Sequence, residues 1–211
     1  GLEQIIEYVN NLHFTTEDIE YLRKTKLFDE EFLEYLRGFH FTGDLYAVPE
    51  GTVIFPREPL VKVIAPVMEA QLIETAVLNM LNFESLIATK ASRVVYAAKG
   101  DGIMEFGLRR AQGPDAGIYG ARAAVIGGCI GTSNVLCGEM FHVPIKGTHA
   151  HSWIMSFKDE YTAFKTYAKM YPNSCTLLVD TYDVLKSGVP NAIRVFEEMR
   201  EEGIQLTRYG I

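Results

Sequence analysis

The run Gly147-Thr148-His149-Ala150-His151-Ser152-Trp153 holds two of the chain's five histidines. It follows the apolar stretch Phe141-His142-Val143-Pro144-Ile145 and precedes a helical pattern. Residues two apart on a strand share a face, so the spacing predicts two imidazoles converging at a strand end. Three other predicted strand ends finish in Arg109 and Arg110, in Thr132 and Ser133, and in Asp180 and Asp183. Arginine grips carboxylate or phosphate through paired N–H groups. A neutral imidazole nitrogen accepts a phosphoryl group when a carboxylate holds the other nitrogen. Strand interiors here are Val, Ile and Leu, so these polar ends exceed what a core needs. Together they predict an acid/base site that handles anions.

Each group also has a plainer reading. A lone buried histidine is ordinarily a satisfied core residue, and the i, i+2 pair weakens that reading. An HxH strand end also opens the metal cluster of amidohydrolase barrels. There it lies on the first barrel strand with more histidines to follow; here it falls on the third, and no histidine follows His151. Neighbours on a strand face opposite ways, so only one of Arg109 and Arg110 is expected to reach a ligand. Phe106 reads as core, Ser133 as a cap for the helix after it, and Asp180 and Asp183 as caps or Mg²⁺ ligands. Asp180 is the carboxylate placed to hold His151.

The elements that must position these groups fall into two regions. Residues 2–38 read as three short helices, with Thr15 to Asp18 and Asp29 as N-terminal caps. From Asp44 to Val67 the pattern turns to strand, in Leu45–Val48, Thr52–Phe55 and Leu60–Ile64, punctuated by Pro49, Gly51, Pro56 and Pro59. A long helix follows through Leu72, Ile73, Ala76, Val77, Met80 and Leu81, with a break expected near Asn82. Beyond Gly100 strands and helices alternate. The strands are Ile103–Leu108, Cys129–Thr132, Val143–Gly147 and Cys175–Asp180; the helices are Asp115–Ile126, Asn134–Met140, Ser152–Met170 and Pro190–Glu202. Such alternation implies an α/β fold with a parallel sheet. Residues 1–100 are expected to form an α+β N-terminal region. Residues 101–211 are expected to supply the first four βα units of a (β/α)₈-type barrel, whose chemistry sits at the C-terminal strand ends. An open doubly wound sheet is the alternative.

A net charge of −7 and a pI near 5.3 argue against a nucleic-acid surface. A local arginine cluster can still reverse the field inside a cleft. Cys129, Cys137 and Cys175 form no CxxC pair and read as buried, reduced thiols. With no apparent signal peptide or membrane span, the expected setting is the cytoplasm. Gly1 enters a helical pattern at once and Arg208-Tyr209-Gly210-Ile211 reads as a strand opening, so a segment of a longer chain is expected.

Four blocks sharpen this reading: Phe106 to Asp115, Gly131 to Asn134, Gly147 to Trp153 and Leu178 to Asp183. In order and content they resemble the nicotinate phosphoribosyltransferase family, over most of the chain from about Asp44. The resemblance implies a barrel packed on an α/β domain, and with it a homodimer with shared active sites. It implies ATP-coupled joining of nicotinate to phosphoribosyl pyrophosphate, with Mg²⁺ holding the pyrophosphate. It makes His151 the phosphohistidine, places Arg109 in the substrate pocket and has Phe106 stack on the pyridine ring; Thr132 and His149, read from the predicted strand ends, are expected to bind substrate beside them. Ser133 stands where nicotinamide-using relatives carry Asp. An Asp about 4 Å from a nicotinate carboxylate costs roughly 4 kcal/mol at an effective dielectric near 20. The family's N-terminal Asp-Leu-Tyr segment and its later phosphate loops have no match; Asp44-Leu45-Tyr46 runs into Ala-Val-Pro-Glu instead. The rival expectation is a non-catalytic barrel fragment serving as an interaction module.

Overall fold

A computed structural model describes residues 1–211, in two compact units, Gly1–Lys146 and Gly147–Ile211. The first unit opens with α1 (Leu2–Asn11), α2 (Thr16–Thr25) and α3 (Glu30–Arg37). Thr15 and Asp18 form a reciprocal capping box at the start of α2. The Asp29 carboxylate accepts the Phe32 N–H at 2.8 Å and starts α3. Ile19, Leu33 and Leu36 then close a small core between α2 and α3.

Strands β1 (Asp44–Ala47) and β2 (Val61–Ile64) pair antiparallel, Asp44 opposite Ile64. The third strand expected at Thr52–Phe55 does not form. Pro56 and Pro59 offer no N–H to a ladder, the segment turns at Thr52–Pro49 and Glu58–Phe55, and Val53 and Phe55 face solvent. Helix α4 (Val67–Ala97) is continuous through Asn82. One asparagine costs a helix only a few tenths of a kcal/mol. Burial of Ile73 and Val77 against Ile5 and Val9 of α1 outweighs that. No Gly or Pro interrupts the 31 residues.

Beyond α4 the strands are shorter than the apolar runs suggested. They are β3 (Met104–Glu105) and β4 (Gly131–Thr132), parallel, with Thr132 also bridged in parallel to Ile145. Helices α5 (Pro114–Ile126) and α6 (Val135–Phe141) lie between these segments in sequence. Gly113 precedes α5 and Pro114 takes its first turn, so the helix starts one residue before the expected Asp115. The first unit runs past residue 100 because α4 packs along α5: Ala91 of α4 and Ala124 of α5 share a core cluster with Cys129.

The second unit holds α7 (His151–Met155), α8 (Glu160–Met170), β5 (Cys175–Thr176), α9 (Val189–Glu201) and β6 (Tyr209–Gly210). The single helix expected over Ser152–Met170 is two, because Asp159 caps a fresh start by accepting the Thr162 N–H at 2.7 Å. Strands β5 and β6 pair in parallel around α9. Phe164, Cys175, Leu177, Val195 and Met199 make the core, each at most 1% exposed. The protein is thus a mixed helix–strand fold whose strand pairs after residue 100 are all parallel.

Candidate active site

In the first unit the predicted groups gather around the ends of β3 and β4. Arg109 and Arg110 do not continue a strand. They lie on a single 3₁₀ turn, Leu108–Arg110, so the opposite-face argument does not separate them. Both are exposed, and neither joins an ion pair. Phe106 is 43% exposed, which removes it from the core. Ser133 is also exposed; its N–H donates to the Glu105 carbonyl at 3.0 Å. Asn134, not Ser133, caps α6 by accepting the Cys137 N–H, so the Ser133 hydroxyl is not used as a cap.

Thr132 differs from its neighbour. It is fully buried, donates to the Glu105 carboxylate at 2.6 Å and accepts the Asn134 N–H at 3.0 Å. Its part is to fix the loop that presents Ser133, not to reach into solvent. Glu105 also accepts the Gly107 N–H just before the arginine turn. One carboxylate therefore braces both loops. Sequence reasoning missed it; an acid inside a predicted strand, level with a threonine on the next, was the available signal. Burial, with a smaller push from Glu105, raises the Cys129 and Cys137 thiols above the usual cysteine value, which disfavours the thiolate.

In the second unit the histidines are not on a strand. Residues 147–150 are irregular and His151 opens α7, so the shared-face argument fails, and the two rings part company. His151 is exposed. Its Nδ1 lies 3.1 Å from the Thr181 hydroxyl and its Nε2 lies 3.8 Å from Asp180. Asp180 is within charge range but beyond hydrogen-bond reach, and Thr181, which the sequence reading passed over, makes the closer contact. His149 is partly buried among Trp153, Phe164 and Tyr167, with the Tyr167 ring centroid 4.5 Å away. Its Nε2 accepts the Leu178 N–H at 3.2 Å. Burial, and then the neighbouring His151, lower its pKa below the usual imidazole value. That contact and that burial set the ring apart from the exposed His151.

Asp183 takes the capping role. Its Oδ1 accepts the N–H groups of Leu185 and Lys186 at 3.1 and 2.9 Å, starting a π-helical turn, Val184–Gly188. Such turns recur at functional sites. No three His, Cys, Asp or Glu residues cluster as a metal cage. Mg²⁺ needs only one or two carboxylates when phosphates supply the remaining oxygens, and the exposed Asp180 is the carboxylate left open. A cavity of about 370 Å³ beside the β1–β2 hairpin and α4 contains none of these residues.

The first unit thus presents exposed arginines and an exposed serine, and the second an imidazole between a hydroxyl and a carboxylate, groups whose chemistry suits anions. Residues 1–82 match the family described as nicotinate phosphoribosyltransferase (NAPRTase) N-terminal domain. The chain is 52% identical over 198 residues to the nicotinate phosphoribosyltransferase of Bacillus subtilis, covering 94% of this chain and 40% of that one. It is 46% identical over 199 residues to a nicotinate phosphoribosyltransferase of Mycobacterium tuberculosis, covering 94% and 42%. The crystal structure of human nicotinic acid phosphoribosyltransferase superposes with a TM-score of 0.88 at 30% identity, covering all of this chain and 52% of the human one. The chain thus resembles nicotinate phosphoribosyltransferases along nearly its whole length, and spans about half or less of theirs. No helix is long and apolar enough to cross a membrane.

Proposed function

We propose that the protein is a nicotinate phosphoribosyltransferase, joining nicotinate to the ribose of phosphoribosyl pyrophosphate with coupled ATP hydrolysis, in salvage toward NAD. The observation that carries this is His151, exposed and set between Thr181 and Asp180, within a chain half-identical to a relative of that name. His151 accepts the terminal phosphoryl group of ATP on a ring nitrogen, and ADP leaves. Thr181 and Asp180 orient the ring. Arg109 pairs with an anionic group of the substrate, Phe106 stacks on the pyridine ring, and the Ser133 hydroxyl meets the ring's carboxylate without adding a charge of its own. Thr132 acts from beneath, through Glu105. Mg²⁺ held with the pyrophosphate would neutralise charge on the leaving group, and the exposed Asp180 would be the carboxylate here to hold it.

The same reading makes residues 1–100 an N-terminal α+β region and residues 101–211 the start of a (β/α)₈-type barrel. The parallel succession of β3, β4 and Ile145 supports this. It also implies a cytoplasmic homodimer with shared active sites. The test is incubation with γ-labelled ATP and peptide mapping. Label on His151, lost together with ATP hydrolysis in His151→Ala while slow ATP-independent formation of nicotinate mononucleotide persists, is the expected result. Label on another residue, or undiminished ATP hydrolysis in the variant, overturns it.

A further inference from the structure

His149 has a task of its own. Its Nε2 accepts a backbone N–H, so the ring must be neutral with its proton on Nδ1. That Nδ1 is buried and has no hydrogen-bond partner. An imidazole that leaves a buried N–H unpaired costs the desolvation of that group, whereas a phenylalanine would fill the same aromatic surroundings without it. What the imidazole adds is the acceptor for Leu178. The two ends of that bond are informative. His149 stands two residues before His151, and Leu178 stands two before Asp180 and three before Thr181. The bond therefore joins the two stretches of backbone whose next residues meet in the His151–Thr181 contact. Residues 147–150 have no regular secondary structure to hold them otherwise. The β-ladder around Leu178 has ended too, since β5 stops at Thr176 and the last ladder-side bond is Leu177 N–H to the Gly210 carbonyl at 2.9 Å.

We infer that His149 is a positioning residue for His151: through Leu178 it clamps the loop before the exposed imidazole onto the segment that ends in Asp180 and Thr181. The inference deepens the phosphohistidine reading, on which its catalytic meaning rests, but its geometry does not depend on that reading. A histidine that fixes its partner's ring sets the angle at which a nitrogen meets phosphorus, and small misplacements of a reacting group cost large factors in rate.

The test uses the whole protein, labelled with ¹⁵N-histidine and free of substrates. Ring-nitrogen shifts should show His149 as the Nδ1–H tautomer from about pH 6 to about pH 8. The Leu178 amide should exchange at least about tenfold more slowly than in His149→Phe, which keeps the aromatic packing and removes the acceptor. In that variant the His151 ring shifts should move toward those of a free imidazole. His149→Gln, whose amide oxygen can replace Nε2, should restore both signals. An Nε2–H tautomer for His149 in the wild type overturns the inference even if the variants do not fold. So does an unchanged His151 spectrum in a folded His149→Phe. Phosphate labelling with ATP is scored separately. If the spectra behave as expected and no label reaches His151, the clamp stands and the phosphohistidine reading falls.

Discussion

The Thr132 hydroxyl donates to the Glu105 carboxylate at 2.6 Å, across neighbouring parallel strands that pair these two residues in register. Replacing Thr132 with Val keeps the shape and removes both the donor to Glu105 and the acceptor for the Asn134 N–H. The expected loss is about 1–3 kcal/mol of unfolding free energy, because two polar groups lose partners in a buried place. Urea denaturation of Thr132→Val against wild type measures it. A change below about 0.5 kcal/mol would show that the bond does not brace these loops.

Ser133 is exposed beside that buried pair, and the expectation for it is electrostatic. Ser133→Asp adds a carboxylate where the nicotinate carboxylate is proposed to lie. The bare repulsion is roughly 4 kcal/mol, about a thousandfold in affinity; screening by Arg109 lowers this toward about tenfold. Nicotinamide carries no charge and offers two N–H donors, so its binding should hold or improve. Competition between acid and amide reads the ratio directly, and an unchanged ratio removes Ser133 from substrate discrimination.

Gly188 ends the π-helical turn, and a Cβ there would run into the Val179 carbonyl oxygen. No side chain can absorb that clash, because the obstacle is backbone. Gly188→Ala must therefore displace the chain immediately before Asp180, at an expected cost of about 1–3 kcal/mol. Thermal denaturation gives the stability change. The Asp180–His151 approach should lengthen too, visible as reduced labelling of His151 by ATP.

Glu198 on α9 is held down to about 2, below the usual carboxylate value of 4.5, chiefly by its bond from Lys165 and then by Tyr161. A depressed folded value means the unfolded chain takes up the proton first. The contribution to stability is therefore complete above about pH 4.5 and is lost as pH falls toward 2. Glu202, which shares Lys165, is lowered in the same direction. Glu198→Gln should shrink, not abolish, the acid dependence of the denaturation midpoint over that interval. An identical acid limb in the variant removes the pair from the stability balance.

The order of the helices was legible from periodicity and caps, and of the strand ends beyond Gly100 only the one at Thr132. Asp29 and Pro114 announce helix starts through chemistry that acts over a few residues. What stayed hidden depends on partners far along the chain. Thr52–Phe55 has the composition of a strand, but nothing pairs with it. Arg109 and Arg110 follow an apolar run yet sit on a helical turn, because Glu105 takes the Gly107 N–H and bends the backbone. The His149–His151 spacing singled out both residues, but for a geometry they do not have. Sequence could not tell that one ring accepts an N–H from Leu178 while the other meets Thr181. Of the candidate site, the exposed groups Phe106, Arg109, Ser133 and His151 were readable as types. Their supports, Glu105 and Thr181, were not, since each is defined by a contact about thirty residues away.

Helix α4 runs unbroken for 31 residues, roughly 46 Å at an ordinary helical rise. Its first half packs with α1 and the β1–β2 hairpin, and its second half packs with α5 and Ile103, the residue before β3. It works as a stiff beam with loads at both ends. Pressure on the hairpin cannot be absorbed by a hinge at Asn82, because the helix has none there. It must appear as a tilt at the far end, where the chain enters β3 and, one residue after that strand, reaches Phe106.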